Sequence, residues 1–204
     1  MQSTVKPQVV KVCILGSSGV GKSSILKRFV SNEFDEAEQS TLGAAFMDKM
    51  FTHKGKVFRF QIWDTAGQEK YAPLAHMYYR DTHVALLVYD ITNAESFTAL
   101  KEWHRELTER GPKNVLTVCV GNKIDLIHRE QVETETAKEY TKSIGGILKL
   151  TSAKENKGIE ELFVKICENM AETETPTESG SKQQDPKRHS LMEPGKSENK
   201  SGCC

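Results

Sequence analysis

The sequence predicts an α/β fold: a six-stranded, mostly parallel sheet with one antiparallel strand and helices on both faces. Three observations lead there. Short runs of β-branched and apolar residues alternate with segments of helical periodicity through residues 9–170. Two of the six strand-like runs meet at Lys54-Gly55, a tight-turn pair that makes them a hairpin and supplies the antiparallel strand. Other runs are apolar throughout, as parallel strands covered on both faces are.

The elements follow in order. Val9–Leu15 reads as a strand, and Lys22–Ser31 carries Ile25, Leu26, Phe29 and Val30 at helical spacing. Ala44–His53 and Lys56–Trp63 are the two arms of the hairpin, and His83–Tyr89 and Val115–Gly121 are strands of the buried type. Between those two, Ala94–Arg110 places Phe97, Leu100, His104 and Leu107 along one helical face, with Thr92 or Asn93 as the cap. A weaker helical pattern spans Glu133–Ser143, and Ile147–Thr151 is a short strand. The last helix aligns Ile159, Leu162, Phe163, Ile166 and Met170 on one face.

A chain of 204 residues predicts one domain with an appendage. Residues 1–8 read as a flexible N-terminus, 9–170 as the domain and 171–204 as a disordered tail. In that tail Glu, Thr, Ser, Lys, Pro and Gly leave too little apolar surface to offset the entropy of ordering. Lys and Arg number 28 and so do Asp and Glu, so no global field attracts nucleic acid. No apolar run approaches the roughly 18 residues of a membrane span, and Met1–Gln8 has no signal core. Both argue against a secreted or membrane-spanning protein. Cys13, Cys119 and Cys167 sit singly among apolar neighbours, where cysteine behaves as a small hydrophobe. No zinc spacing or disulfide framework appears, which points to a reducing, intracellular compartment. Cys203 and Cys204 differ: they are adjacent, terminal and set among polar residues.

Gly16-Ser17-Ser18-Gly19-Val20-Gly21-Lys22-Ser23 fits G-x-x-x-x-G-K-[ST] between a strand and a helix. The glycines let backbone N–H groups curl around phosphate oxygens, and the helix N-terminus adds a favourable dipole. Lys22 reaches the outer phosphates in such a loop, and the Ser23 hydroxyl binds Mg²⁺. Asp64-Thr65-Ala66-Gly67-Gln68 follows the strand ending at Trp63. There Asp64 can hold Mg²⁺, Gly67 can bring a backbone N–H to the terminal phosphate, and Gln68 can orient an attacking water. Asn122-Lys123-x-Asp125 and Ser152-Ala153-Lys154 follow two further strands, at the edge where open α/β sheets bind ligands. A carboxylate at Asp125 accepts from guanine N1–H and the 2-amino group together, whereas adenine would leave it unpaired. The Ala153 N–H can serve guanine O6, while the Lys123 and Lys154 stems cover the base.

These motifs, with Thr41, resemble the complete set of the Ras-superfamily small GTPases, whose fold is the small G domain of the P-loop NTPases. The spacings agree, Phe34 lying 12 and Thr41 19 residues after Lys22. Phe60–Glu69, Tyr78-Tyr79-Arg80 and Leu87–Asn93 are similar to the Rab family, and Thr41-Leu42-Gly43-Ala44-Ala45-Phe46 to its early-endosomal branch. The resemblance implies that Phe34 packs edge-on against guanine and that Ser18, Gly19, Val20, Gly21 and Ser24 line the phosphates. It implies that Thr41 binds Mg²⁺ and the γ-phosphate in the GTP state only. Leu42, Gly43 and Tyr71, with the aromatic triad Phe46, Trp63 and Tyr78, would face effectors.

Asp81, Lys70, Pro73 and His76 depart from the family pattern in and after the second switch, which bears on effectors and exchange factors. The double terminal cysteine is a Rab pattern that implies geranylgeranyl groups on Cys203 and Cys204, two chains being needed for stable anchoring. The resemblance thus implies a monomeric GTP/GDP switch on the cytosolic face of endosomal or vesicle membranes. Its partners would be an exchange factor, an activating protein, a GDP-dissociation inhibitor, a prenylation escort protein and effectors. The motifs by themselves also admit a P-loop ATPase or small-molecule kinase, or a nucleotide-binding module that does not hydrolyse.

Overall fold

The computed structural model describes residues 6–37, 40–41, 43–65 and 77–172, all within one unit, Met1–Glu174. The expectations placed on Leu42, Gly67, Gln68, Lys70, Tyr71, Pro73 and His76, and on the tail with Cys203 and Cys204, lie outside the described residues. The strands are β1 (Gln8–Leu15), β2 (Ala44–His53), β3 (Lys56–Thr65), β4 (Val84–Asp90), β5 (Leu116–Asn122) and β6 (Ile147–Thr151). The helices are α1 (Lys22–Ser31), α2 (Ala94–Arg110), α3 (Thr134–Ser143) and α4 (Ile159–Glu172), with a 3₁₀ turn at Ile124–Arg129.

The six strands form one sheet in the order β2-β3-β1-β4-β5-β6, in which only the β2–β3 hairpin is antiparallel. One face packs α1 and α4 against Val10, Val12, Ile14, Phe60, Ile62 and Leu86. The other packs α2 and α3 against Cys13, Leu15, Ala85, Leu87, Tyr89 and Cys119. This is the expected two-faced sheet. β4 (VALLVYD) is buried along its whole length because neighbouring strands and both layers enclose it. On the α1–α4 side an aromatic cluster fills the core. Phe29 stacks on Phe163 at 3.4 Å, and Phe60 meets both edge-on at 5.6 and 5.3 Å. Such pairs add about 0.5–1.5 kcal/mol each beyond burial. Lys49 on β2 donates to the Phe29 carbonyl at the end of α1, so a cation meets the negative end of that helix.

Several boundaries differ from expectation. β1 begins at Gln8, inside the segment expected to be flexible, because Gln8 pairs with Phe58 and its Nε2 donates to the Met170 carbonyl. α4 runs to Glu172, two residues past the expected limit of 170. β3 extends past Trp63 to Thr65, whose hydroxyl donates to the Ile14 carbonyl at 2.7 Å. β4 and β5 reach Asp90 and Asn122, which are ladder partners rather than loop residues. On α2, Phe97, Leu100 and Leu107 are buried along the expected face, but His104 is only half-buried and Trp103 is buried beside it. The α2 cap is Asn93, whose side chain accepts from the Glu95 and Ser96 amides.

Near the C-terminal end of β5, Gly121 leaves room for one ring. A Cβ there would lie 2.6 Å from the Tyr89 hydroxyl and 2.8 Å from Leu150 Cδ2. That hydroxyl is buried with no hydrogen-bond partner among the described residues. Gly121→Ala should therefore cost about 1–3 kcal/mol of unfolding free energy through overpacking. Tyr89→Phe, which removes an unbonded polar atom, should be near neutral and should recover part of the Gly121→Ala loss. Urea unfolding of the two single variants and the double variant measures the coupling, and strict additivity would refute the clash.

Candidate functional site

Because β1, β3, β4, β5 and β6 are parallel, their C-terminal ends share one edge of the sheet. The order reverses at β1, between β3 and β4, where open α/β sheets bind ligands. β2 runs the opposite way and starts at this edge, its Ala44 facing Thr65, so Thr41 and Gly43 arrive beside the end of β3. A cleft of about 450 Å³ opens here. Its phosphate-loop wall holds Ser18, Gly19, Gly21, Lys22, Ser23 and Ser24, and the opposite walls hold Phe34, Thr41, Asn122, Lys123, Asp125, Ala153 and Lys154. Val20 is buried under the loop, and Ser152 is buried behind Asp125.

The phosphate-loop wall is built on backbone geometry. Gly21 is the residue before α1, with φ +94°, and a Cβ there would collide with the Asn122 side-chain amide. Lys22 is buried, and its Nζ donates to the Gly16 and Ser17 carbonyls at 2.9 Å each. Burial lowers the Lys22 ammonium to about 8, against an opposing pull from Asp64. An anion entering the loop meets a cation already stripped of most of its water.

Ser23, Thr41 and Asp64 lie together. The Ser23 hydroxyl lies 2.5 Å from Asp64 Oδ2 and 2.7 Å from Thr41 Oγ1, and Thr41 Oγ1 is 3.4 Å from the same carboxylate oxygen. Two hydroxyls and one carboxylate form a hard oxygen set, the donor chemistry Mg²⁺ selects.

At the other end Asn122 is the brace. Its Nδ2 donates to the Val20 carbonyl at 2.9 Å, and its Oδ1 accepts from Thr151 Oγ1 at 3.1 Å and the Ala153 amide at 3.3 Å. The Ala153 N–H, expected to serve guanine O6, donates to Asn122 Oδ1 in this structure. Lys123 adopts the left-handed conformation, φ 70°, and its Nζ pairs with Asp90 Oδ2 at 2.7 Å. Burial pushes the Asp90 carboxyl up, but the bonds from Lys123 and Thr92 outweigh it and hold the group below its ordinary value. Asp125 Oδ1 accepts from the Ser152 hydroxyl at 2.6 Å, which in turn accepts from the Glu155 amide.

Among the residues of this region that the sequence reading missed are Arg28, Glu36, Asp90 and Arg129. Arg28 donates to the Ala153 carbonyl, Glu36 pairs with Lys154, and Asp90 holds Lys123. Only Asp90 left a local trace, the Asp-x-Thr turn in which Thr92 bonds back to it. The aromatic triad is contiguous: Phe46 and Trp63 are cross-strand partners 5.0 Å apart, and Trp63 and Tyr78 are 5.3 Å apart. Phe46 is 49% exposed, so one ring of the triad faces solvent.

Residues 11–172 match the Ras family. The chain is 46% identical to human Ras-related protein Rab-22A over 173 residues, 85% of this chain and 89% of that one. It is 48% identical to human Ras-related protein Rab-31 over 84% of this chain and 87% of that one. With canine Ras-related protein Rab-21 it shares 41% identity over 95% of this chain and 91% of that one. The match and the cleft agree: the chain belongs to the Ras family, as a Rab-type small GTPase of membrane trafficking that binds GTP, GDP and Mg²⁺ and hydrolyses GTP.

Proposed function

We propose that this cleft is where the chain binds guanine nucleotide, and that the bound state is read out at the Phe46–Trp63–Tyr78 surface. The observation that carries the reading is that one cleft joins a phosphate loop, a hard oxygen set and a carboxylate suited to guanine. Backbone N–H groups of Ser18–Ser24 cradle the phosphates, and Lys22 exchanges its two carbonyl bonds for phosphate oxygens. A bound Mg²⁺ supplies positive charge to the phosphate oxygens, and Ser23, Thr41 and Asp64 hold it. Asp125, oriented by Ser152, accepts from guanine N1–H and the 2-amino group. Phe34, Lys123 and Lys154 cover the base.

Hydrolysis is proposed to rest on positioning and charge stabilisation, with Gln68 orienting the water and the Gly67 N–H at the γ-phosphate. Arg28 and Arg129 belong to the base end: Arg28 bonds the Ala153 carbonyl, and Arg129 closes the turn that carries Asp125. An arginine at the γ-phosphate is therefore assigned to an activating protein, worth about 10³–10⁵-fold in rate. Loss of the γ-phosphate releases Thr41 and Gly67, and effectors at Leu42, Gly43, Tyr71 and the triad dissociate. The regulators and effectors common to this family are proposed to include an exchange factor, a GDP-dissociation inhibitor and a prenylation escort protein acting on a monomer. Residues 173–204, which follow α4, are proposed as a linker to prenyl groups on Cys203 and Cys204, holding the domain at the cytosolic face of endosomal or vesicle membranes.

Calorimetry with Mg²⁺ present should give tight binding of GDP and GTP and weak binding of ATP. Asp125→Ala should lose about a hundredfold or more in guanine affinity with little change toward ATP. Equal affinity of the unaltered chain for GTP and ATP would overturn the assignment of Asp125. Gln68→Leu should keep GTP affinity while losing most hydrolysis, intrinsic and stimulated; unchanged turnover would remove Gln68 from the mechanism. In a prenylating extract, Cys203→Ser with Cys204→Ser should leave the protein in the supernatant. Either single variant should bind vesicles reversibly, as one chain gives only marginal affinity.

A further inference from the structure

Three polar connections join the loop after β6 to the chain that leaves α1. Arg28, in the last turn of α1, makes the first. Its Nε donates to the Ala153 carbonyl at 2.9 Å, and its two terminal nitrogens donate to the Lys154 carbonyl at 3.3 Å and the Asn32 carbonyl at 2.8 Å. Its guanidinium carbon lies 5.8 Å from the centre of the Phe34 ring. Asn156 Nδ2 adds a bond to Asn32 Oδ1 at 3.1 Å. Finally, Lys154 Nζ and Glu36 Oε1 form an ion pair at 2.7 Å between two walls of the cleft.

We propose that Arg28 is a positioning residue for nucleotide retention, with the Glu36–Lys154 ion pair as its salt-sensitive counterpart. Together they tie residues 152–156 to residues 32–36 and set how fast nucleotide leaves. The inference rests on the reading above, in which guanine lies between Phe34 and the 152–154 loop. For the base to depart, these two walls must separate, and separation breaks the contacts Arg28 makes. Its planar fork serves three carbonyls at once, a geometry that a lysine's point charge does not reproduce. Arg28 is half-buried and so is weakly screened. The Lys154 and Glu36 side chains are 52% and 78% exposed, so their pair is screened by salt and contributes less. The phosphate end of the cleft is held by other contacts, so hydrolysis of GTP already bound is separable from release.

The test uses the full chain loaded with fluorescent GDP in Mg²⁺ and chased with excess unlabelled GDP. Arg28→Lys should release GDP about tenfold faster, the scale of a lost hydrogen bond to a charged group. Glu36→Gln should release it about two- to threefold faster at low salt. Raising NaCl from about 50 to about 500 mM should accelerate release from the unaltered chain but not from Glu36→Gln. Single-turnover hydrolysis of prebound GTP should stay within about twofold in both variants, a separation that general loosening would not produce. If Arg28→Lys does not fold, Glu36→Gln and its salt profile decide alone. Release at the unaltered rate from variants that still bind GDP would overturn the positioning role only. Failure of the unaltered chain to bind GDP would overturn the guanine reading and this proposal with it.

Discussion

The arrangement of the cleft depends on one buried amide. Asn122 ends β5 at the sheet edge, and its side chain bonds the phosphate loop through Val20, β6 through Thr151 and the loop after β6 through Ala153. Every polar atom of that amide is engaged away from water, so the loop for phosphate and the loop for the base are held in one frame. The requirement runs backward into the sequence. Gly21 must lack a Cβ because the amide passes where it would stand, and the same glycine supplies the left-handed turn into α1. One interaction thus couples two motifs a hundred residues apart.

Around that frame the charged groups are prearranged. Lys22 is desolvated and parked on two backbone carbonyls, which fixes its ammonium at the mouth of the loop. Lys123 is held by Asp90, and Asp125 by Ser152, so the side chains at the base end have their rotamers set by neighbours rather than by ligand. Such preorganisation spares binding the entropy of ordering long side chains. Thr41 belongs to a different class. It precedes β2 and reaches Asp64 only because the hairpin register sets Ala44 opposite Thr65. The three clustered oxygens therefore come from the sheet at Asp64, from α1 at Ser23 and from a connecting segment at Thr41.

Much of the fold was legible because local signals agreed with the packing. The α1 and β2 ranges follow from helical and strand periodicity, and the turn from Lys54-Gly55, whose residues have φ 47° and 76°. Where the reading slipped, a polar residue stood at an element's edge. Thr65, Asp90 and Asn122 look like loop residues in isolation, yet each has a ladder partner across the sheet. On α2 the expected face holds at Phe97, Leu100 and Leu107, while Trp103 rather than His104 completes it in the core.

The sequence by itself determined which chemistry this protein carries, because phosphate loop, hydroxyl and carboxylate positions are local patterns that backbone physics makes recognisable. Tertiary structure alone decided how those patterns are supported. Arg28 reaches Ala153 across 125 positions, Lys154 reaches Glu36 across 118 and Asn122 reaches Val20 across 102. No periodicity or spacing rule encodes such pairs. They exist because parallel strands deliver their ends to a common edge, where side chains distant in the chain become the nearest available partners.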